Sequence, residues 1–278
     1  MSYVIGIDSG GTKTHGVLLG NNNIISEVFN GPGNIHNNLE LAYSSISQSI
    51  DQLIEKNKID GVKMKAMVGV AGFADFDNRI KLQNMLTNKY PQLDFKIISD
   101  CYMAYKSSYP DSDGAILICG TGVVGYSIKR NQESRIGGWG FPQGDIGGGA
   151  WIGLEICKLI CKAIDNIIPW SLMLESIYKE QFSADKDTFF TWLLSASPKD
   201  FGKLVEPFVS YVDCDIYASG ILMAGVTELK NIVRIITYNQ LPITIFGGLS
   251  NLYLPYLQRD FSNLSIAKQS AVFGAIHM

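Results

Sequence analysis

An acidic residue and a run of glycine, threonine and lysine stand together near the N-terminus, and this combination could bind a nucleotide. Asp8 precedes the run Gly10, Gly11, Thr12, Lys13 and Thr14. Glycines allow a positive φ and carry no side chain, so the backbone N–H groups of such a run can point at an anion. Asp8 would repel a bare phosphate unless a divalent cation lay between them. We therefore predict a magnesium nucleotide site, with a tight hairpin that binds no ligand as the alternative.

Two further glycine turns follow apolar runs later in the chain. Gly120, Thr121 and Gly122 follow one run of β-forming residues, and the pair Gly247 and Gly248 follows another. The spacing of the first turn also matches the G-x-G-x-x-G dinucleotide fingerprint. We reject that fingerprint because it requires a helix to begin in the loop, whereas the residues after this turn are again β formers. The glycine pair is the candidate for the adenosine pocket, because it lets a flat ring approach the backbone, with an ordinary turn as the alternative.

A glycine-rich segment with two tryptophans could bind a ligand that carries hydroxyl groups. It runs from residue 137 to residue 153 and contains Gly138, Trp139 and Asp145. So many glycines suit a loop whose backbone approaches a ligand closely, and the acid could accept hydrogen bonds from ligand hydroxyl groups. A flexible linker is the alternative, but linkers do not usually carry two tryptophans.

The hydrophobic pattern predicts the elements that position these residues. Short apolar runs with β-branched residues predict strands, and the apolar residues between Leu39 and about Asn57 recur at helical spacing. Strands that alternate with helices indicate an α/β fold, in which ligands gather at the carboxyl ends of the strands. Asp8, Gly72 and Asp100 all fall at such ends.

A polar turn at residues 109–114 is the candidate domain boundary. After it, a strand, a glycine turn and a second strand repeat the opening of the chain in outline. The two halves are therefore predicted to be duplicated copies of one unit, each of which presents a glycine hairpin. At 278 residues the chain is long enough for each half to bury a core of its own.

Composition excludes several classes of partner. Hydrophobic residues make up 46% of the chain, charged residues 18%, and the net charge is −3. These values describe a soluble globular protein and give no reason to expect nucleic acid or an anionic membrane as a partner. We expect a cytoplasmic protein, since no apolar run is long enough for a bilayer and the N-terminus lacks a secretion signal. The five cysteines form no CxxC pair, which favours reduced thiols.

The glycine turns and strand-end aspartates resemble the superfamily of actin, hexokinase and the heat-shock chaperone ATPases. More narrowly, the whole chain resembles the N-acetylglucosamine kinase and BadF/BadG/BcrA/BcrD ATPase-type family, whose DxGGTKT and GWGxxxGDEGSxxWI segments match residues 8–14 and 138–152. The resemblance implies two duplicated ribonuclease-H-like domains of the actin-like ATPase type, with a nucleotide and sugar cleft between them. We place the N-terminal domain at 1–110, completed by a C-terminal helix at 268–278, and the C-terminal domain at 111–267.

The same resemblance implies an activity, which is transfer of phosphate from ATP to the 6-hydroxyl of an amino sugar, first of all N-acetylglucosamine. It also implies a homodimer that uses Mg²⁺. Asp100 would be the general base, Asp8 would hold the magnesium ion, and the three glycine turns would bind the nucleotide. Asn34, with Asn37 as the alternative register, would bind the sugar. The full set of implied sugar-binding residues is Asn34, Gly72, Asp100, Thr121, Gly138, Trp139 and Asp145.

The chain departs from the family segment at Ile146, where an acid is usual, and at Gly148, where a serine is usual. Three alternatives to an N-acetylglucosamine kinase stay open. The first is a glucosamine kinase, and the second is an ATPase activator of a radical dehydratase, whose iron–sulfur cluster could use Cys119 and Cys157. The third is a non-catalytic sensor of sugar or nucleotide. The glycine–tryptophan segment disfavours the activator, and the two strand-end aspartates disfavour the sensor.

Overall fold

The computed structural model describes residues 3–21 and 23–277, which separate into two compact units. The first unit comprises the chain up to Gly114 together with the residues from Ala267 onward. The second unit is Ala115–Ile266. The last residues of the chain therefore return to the first unit.

The first unit contains a mixed five-stranded sheet. In chain order its strands are β1 (Tyr3–Ser9), β2 (Thr14–Gly20), β3 (Asn23–Asn30), β4 (Met64–Val70) and β5 (Leu93–Ser99). Their order across the sheet is β3-β2-β1-β4-β5. The three N-terminal strands form an antiparallel meander, whereas β4 runs parallel to both β1 and β5. The carboxyl ends of β1, β4 and β5 therefore meet at one edge of the sheet.

Helices cover both faces of this sheet. They are α1 (Leu39–Asn57), α2 (Phe76–Lys89), α3 (Asp100–Ser108) and a closing 3-10 helix (Ala271–His277). The bounds of α1 agree with the helical spacing of its apolar residues, and Ile46, Ile50 and Leu53 on its inner face are fully buried. Each such side chain contributes roughly 1.5–3 kcal/mol on burial. On the opposite face, α3 and the closing helix pack together and share a smaller core with the sheet.

The second unit repeats the strand order of the first. Its strands are β6 (Gly114–Cys119), β7 (Val123–Lys129), β8 (Gln132–Gly137), β9 (Ile243–Phe246) and β10 (Leu264–Ile266). The order across the sheet is β10-β9-β6-β7-β8, so β6 takes the central place that β1 takes in the first unit. Strands β9 and β10 run parallel to β6, as β4 and β5 run parallel to β1. The predicted α/β fold and the predicted duplication of one strand arrangement are confirmed.

The second unit is also richer in helix than the first. Its helices are α4 (Gly149–Ile164), α5 (Leu172–Phe182), α6 (Lys186–Ser195), α7 (Pro198–Lys203), α8 (Val205–Val209), α9 (Ile216–Thr237) and α10 (Ser250–Leu257). The largest hydrophobic core of the chain lies here and is built mainly from α4, α5, α9 and the sheet. Within the described ranges, none of the helices is both long and apolar enough to cross a membrane.

Two helical glycines of the second unit give a matched test of this packing. A Cβ on Gly153 of α4 would lie 2.0 Å from the Phe201 carbonyl oxygen, so Gly153→Ala should force two backbones apart. We expect a loss of about 1–3 kcal/mol in the free energy of unfolding of this unit. On α9, a Gly220 Cβ would meet no described atom within 4 Å apart from its own chain neighbours and the backbone of its own helix.

Gly220→Ala is the control, and its higher helix propensity should stabilise the protein by about 0.5–1 kcal/mol. Urea unfolding of the two variants, followed by circular dichroism, measures both effects. Equal shifts of the unfolding midpoint would contradict the close approach of α4 and α7.

Candidate active site

The first glycine turn closes the hairpin between β1 and β2. The Gly10 N–H donates to the Lys13 carbonyl at 3.0 Å, and the Gly33 N–H donates to the Gly10 carbonyl at 2.8 Å. Neither Gly10 nor Gly11 adopts a positive φ, so the sequence argument that invoked this conformation is wrong for both. The missing side chain is what matters, since no atom of the described chain lies within 4 Å of a Gly11 Cβ position. The backbone at Gly11 is therefore open to a ligand.

The three residues after these glycines have different surroundings. Thr12 is half-buried, and Lys13 is exposed with its ammonium 5.6 Å from the centre of the Phe29 ring. Thr14 is fully buried, and its hydroxyl lies 3.1 Å from that of Ser9. The Thr14 side chain therefore fixes the base of the hairpin and does not face a ligand.

Asp8 and Asp100 lie at the carboxyl ends of β1 and β5, the two strands that flank β4 in the first sheet. Asp8 pairs with Gly69 in the parallel β1–β4 ladder, and β5 lies on the other side of β4. Asp100 follows β5 directly and is the first residue of α3, where its Oδ1 accepts the Cys101 N–H at 2.8 Å. Ser99 caps this helix through its hydroxyl. Both carboxylates are half-buried.

The surroundings of Asp8 oppose its negative charge. Burial raises the pKa of Asp8 to about 7, the charge of Asp100 raises it as well, and that of Lys13 lowers it. An ionised carboxylate in such a place is costly unless a cation compensates it. Carboxylate oxygen is also the donor that Mg²⁺ prefers, so the chemistry of this position fits a magnesium ion.

A turn that begins at Asn34 lies against the end of β4. The Asn34 Oδ1 accepts the N–H groups of His36 at 2.9 Å and of Asn37 at 3.2 Å. Gly72 has a φ of +78°, and a Cβ there would stand 2.5 Å from Asn34 Oδ1. Only glycine meets both conditions, since other residues rarely adopt this conformation and a side chain would displace the turn. The structure thus brings Asn34 and Gly72 together, with Asn37 in the same turn.

The second and third glycine turns meet at one edge of the second sheet. Strands β6 and β9 run in parallel up to Ile118 and Phe246, and the Leu249 N–H donates to the Cys119 carbonyl at 3.1 Å. Gly247 has a φ of +99°, and a Cβ on it would lie 2.1 Å from the same Cys119 oxygen. The structure therefore requires glycine at position 247.

The first turn of α4 is bonded to the turn at residues 120–122. The Gly149 N–H donates to the Gly120 carbonyl at 2.8 Å, and the Ala150 N–H donates to the Thr121 carbonyl at 3.0 Å. At Gly120 and Gly248, no described atom lies within 4 Å of a Cβ position. The protein's own packing does not demand glycine at either place, and both leave the backbone open to a ligand.

Asp145 belongs to the glycine–tryptophan loop, and its carboxylate lies against the backbone of Gly122. Its φ is +62°, and a Cβ on Gly122 would stand 2.3 Å from its Oδ2. Burial raises the pKa of Asp145, while backbone N–H groups of Val123 and Gly140 lower it. Its Oδ1 is buried and has no hydrogen-bond partner among the residues that the structure describes. This oxygen can therefore accept a hydrogen bond from a hydroxyl group of a ligand.

The rest of this loop explains one departure from the family segment. A Cβ on Gly148 would lie 2.7 Å from the Thr121 carbonyl oxygen, so a serine does not fit here without a shift of the backbone. Ile146 is exposed, as is Trp139 with 85% of its surface accessible. Gly138 has a φ of +68° and donates its N–H to the Val123 carbonyl.

Sequence reasoning missed two groups that shape these sites. The Tyr253 hydroxyl donates to the Gly147 carbonyl at 2.7 Å and is buried under the loop. The His36 imidazole and the Asp75 carboxylate are hydrogen-bonded beside Asn34, with 3.0 Å between Nδ1 and Oδ2. Neither partnership leaves a local signal, because each joins residues far apart in the chain.

Known proteins share this arrangement of sequence and fold. The profile of the BadF/BadG/BcrA/BcrD ATPase family matches residues 5–239. The chain belongs to this family. It is 28% identical over 216 residues to the glucosamine kinase GspK of Vibrio cholerae, an alignment that covers 77% of this chain and 73% of the relative. It is 25% identical to the N-acetylmuramic acid/N-acetylglucosamine kinase of Clostridium acetobutylicum, with 99% and 97% covered.

The fold of this BadF/BadG/BcrA/BcrD family member also has a near match among solved structures. A crystal structure from Chromobacterium violaceum, of a protein with the provisional name N-acetylglucosamine kinase, superposes with a TM-score of 0.88. The two sequences are 21% identical, and the alignment covers 99% of this chain and 98% of the other. At this identity the match establishes the fold.

Cys119 and Cys157 both pack in the core of the second unit. Burial raises the pKa of both thiols, that of Cys157 to about 12. A thiol that stays protonated is a poor metal ligand. Throughout residues 3–21 and 23–277, no group of three or more His, Cys, Asp or Glu side chains is placed to hold a metal ion.

The raised pKa of Asp8 predicts a specific dependence of stability on pH. Because the folded protein keeps this proton to about pH 7 and the unfolded chain loses it near pH 3.8, stability should fall as the pH rises between these values. The upper limit of the loss is about 4 kcal/mol. Asp8→Asn removes the proton equilibrium and should remove this fall.

Urea unfolding of the parent protein and of Asp8→Asn at pH 4.5, 6 and 8, in buffer with EDTA, measures the effect. The quantity compared is the free energy of unfolding of the two proteins at each pH. Asp60→Asn, at an exposed position of the same unit, is the control and should follow the unsubstituted protein. If the free energies of unfolding of Asp8→Asn and the parent differ by the same amount at all three pH values, the raised pKa of Asp8 is contradicted.

Proposed function

We propose that this chain is an ATP-dependent kinase that phosphorylates the 6-hydroxyl of an amino sugar. The observation that carries the proposal is the pair Asp8 and Asp100 at the sheet edge that also presents the open glycine hairpin. A nucleotide, a cation and a base are the parts that phosphoryl transfer needs. The names of the Vibrio cholerae and Clostridium acetobutylicum relatives support an amino sugar as the acceptor.

The nucleotide is assigned to the three glycine turns. Open backbone at Gly11, Gly120 and Gly248 supports close approach of phosphate groups and of a flat ring. Thr12, Lys13, Thr121 and the backbones of Gly10, Thr14, Gly122 and Gly247 complete these turns. Asp8 would hold Mg²⁺, which when bound neutralises negative charge on the phosphate oxygens.

Asp100 is assigned as the general base. Its carboxylate would accept the proton of the sugar hydroxyl while the hydroxyl oxygen attacks the γ-phosphorus, and ADP would leave. The position of Asp100 at the start of α3 is fixed by Ser99 and by the packing of α3 on the closing helix. A base on a rigid element holds its geometry better than one on a loop.

The acceptor contacts are assigned residue by residue from the family resemblance. They are Asn34, Gly72, Thr121, Gly138, Trp139 and Asp145, in addition to Asp100. The buried and unpartnered Asp145 Oδ1 supports this assignment, since a sugar hydroxyl would satisfy it. The exposed Trp139 ring offers a flat apolar face to a sugar.

N-acetylglucosamine is the first acceptor to test and glucosamine the second, because the relatives carry both names. A homodimer and a cytoplasmic location belong to the same proposal and rest on the family resemblance and the composition. The direct experiment measures ADP release with Mg²⁺ and ATP in the presence of N-acetylglucosamine, glucosamine, N-acetylmannosamine, glucose or no sugar. Release that depends on one amino sugar would support the proposal and name the acceptor.

Two other outcomes would replace the proposal. Equal release in all wells would favour an ATPase activator, and an iron determination on the purified protein would then decide. No release in any well, together with sugar or nucleotide binding, would favour a sensor.

Removal of the assigned base should slow the reaction without unfolding the protein. Asp100→Asn keeps the shape of the side chain and should lower kcat by roughly 10²- to 10⁴-fold. Coupled ADP detection gives kcat, and thermal unfolding checks the fold. An Asp100→Asn protein that turns over at the parent rate would remove Asp100 from the mechanism.

A further inference from the structure

The turn from Asn34 to Asn38 closes on itself. The Asn34 carbonyl accepts the Asn38 N–H at 3.2 Å, and its side-chain Oδ1 accepts the N–H groups of His36 and Asn37. Because Oδ1 is used within the turn, the Nδ2 group is the part of the Asn34 side chain that can donate to a ligand. Its direction in space is set by how the turn is held.

Three hydrogen bonds hold this turn against the end of β4 and the start of α2. The Ile35 N–H donates to the Ala71 carbonyl at 3.1 Å, and Asn78 Nδ2 donates to the Ile35 carbonyl at 2.9 Å. The third joins the imidazole of His36 to the Asp75 carboxylate, with Nδ1 and Oδ2 3.0 Å apart. Two of the three bonds therefore depend on side chains at the N-terminus of α2.

Asp75 is fixed more firmly than an ordinary surface acid. Its Oδ1 caps α2 by accepting the Asn78 N–H at 3.1 Å, and its Oδ2 also accepts from Asn78 Nδ2 at 3.1 Å. The cap and the bond to His36 lower the pKa of Asp75, so it stays ionised and the imidazole Nδ1 must be the donor. The imidazole itself is largely exposed, with 72% of its surface accessible, whereas the Asp75 side chain is 22% exposed.

The contact with Gly72 links this arrangement to the acceptor residues. A Cβ on Gly72 would stand 2.8 Å from the His36 backbone nitrogen and 2.9 Å from its Cβ. The turn therefore packs directly on the backbone of Gly72, which is itself one of the proposed sugar-binding residues. A shift of His36 would move Asn34 relative to Gly72.

We propose that His36, bonded to Asp75, is a positioning residue that fixes the Asn34 amide for the acceptor sugar. This inference rests on the proposed function. It adds that the affinity for the sugar depends on His36, whereas the affinity for ATP does not. The bond crosses from the turn to α2 at the surface, so its loss loosens the turn without opening the core.

Steady-state kinetics separate this role from a structural one. His36→Ala should raise KM for the amino sugar about fivefold, a value set by a charge-assisted bond at an exposed site, and should leave KM for ATP unchanged. His36→Asn places an amide donor near the position of Nδ1 and should restore the parent KM. His277→Ala, at an exposed position in the closing helix, is the control and should have no effect.

Substitution of the partner tests the path through Asp75. Asp75→Ser keeps a good N-cap but removes the oxygen that reaches His36, so it should raise KM for the sugar to a similar extent. Asp185→Ser makes the same change at the N-cap of α6, where Asp185 Oδ1 accepts the Thr188 N–H at 2.8 Å, and should leave KM unchanged. The double variant of His36→Ala with Asp75→Ser should be no worse than either single variant.

The outcomes distinguish this inference from the proposed function. A parent protein that phosphorylates an amino sugar, with an unchanged sugar KM in His36→Ala, would overturn the role of His36 and keep the kinase. A parent protein without sugar-dependent ADP release would overturn the kinase assignment itself. Hydrogen exchange at the backbone amides of residues 36 and 37 reads the turn directly, and equal protection in the His36→Ala and His36→Asn proteins would also overturn the inference.

Discussion

The placement of the Asp8 carboxylate at the end of a buried strand constrains the whole first unit. Ile5 and Ile7 precede it in β1 and are fully buried, so the core holds the strand and with it the acid. Water is partly excluded there, and a second carboxylate stands close enough to raise the pKa of the first. Two like charges in such a place are tolerated in a fold only when something offsets them. The exposed Lys13 does so weakly, which leaves the position suited to a cation.

Duplication of one sheet design produced two edges with different chemistry. In both units the central strand leads into a glycine turn and the parallel strands lie on one side of it. The residue two positions before the first glycine of the turn is Asp8 in the first unit and Ile118 in the second. The first edge therefore carries the charge, whereas the second offers neutral backbone at Gly120 and Gly248. A repeated fold need not repeat its chemistry, because the side chains at each edge decide what that edge can bind.

Local pattern predicted those parts of the molecule that local forces form. The helix from Leu39 to Asn57 agrees with the sequence because burial of one face dictates its period. Strands β8 and β10 were missed, since the first is polar and the second has three residues and takes its pairing from β9. The positive φ invoked at Gly10 and Gly11 was wrong, because the Gly10–Lys13 bond closes the turn without it.

The parts of the candidate site that sequence could not predict are the ones that join distant segments. The His36–Asp75 bond spans 39 residues and the Tyr253–Gly147 bond spans 106. Each contains one common surface or core residue type whose role depends on where the fold places its partner. Pattern reasoning finds the residues that a ligand requires, whereas the residues that hold them in place become visible only with the fold.

The departures from the family segment at Ile146 and Gly148 are likewise explained by contacts that become visible only with the fold. The Thr121 carbonyl approaches Gly148 so closely that a serine would push the loop away from the second glycine turn. The loop therefore takes its shape from the contact of the Asp145 carboxylate with Gly122 and from the Tyr253 hydroxyl on the Gly147 carbonyl. Because Ile146 is exposed, its side chain contributes little to that shape. Glycine at position 148 thus keeps the loop against the second glycine turn, where the buried Asp145 Oδ1 remains to be satisfied by a ligand.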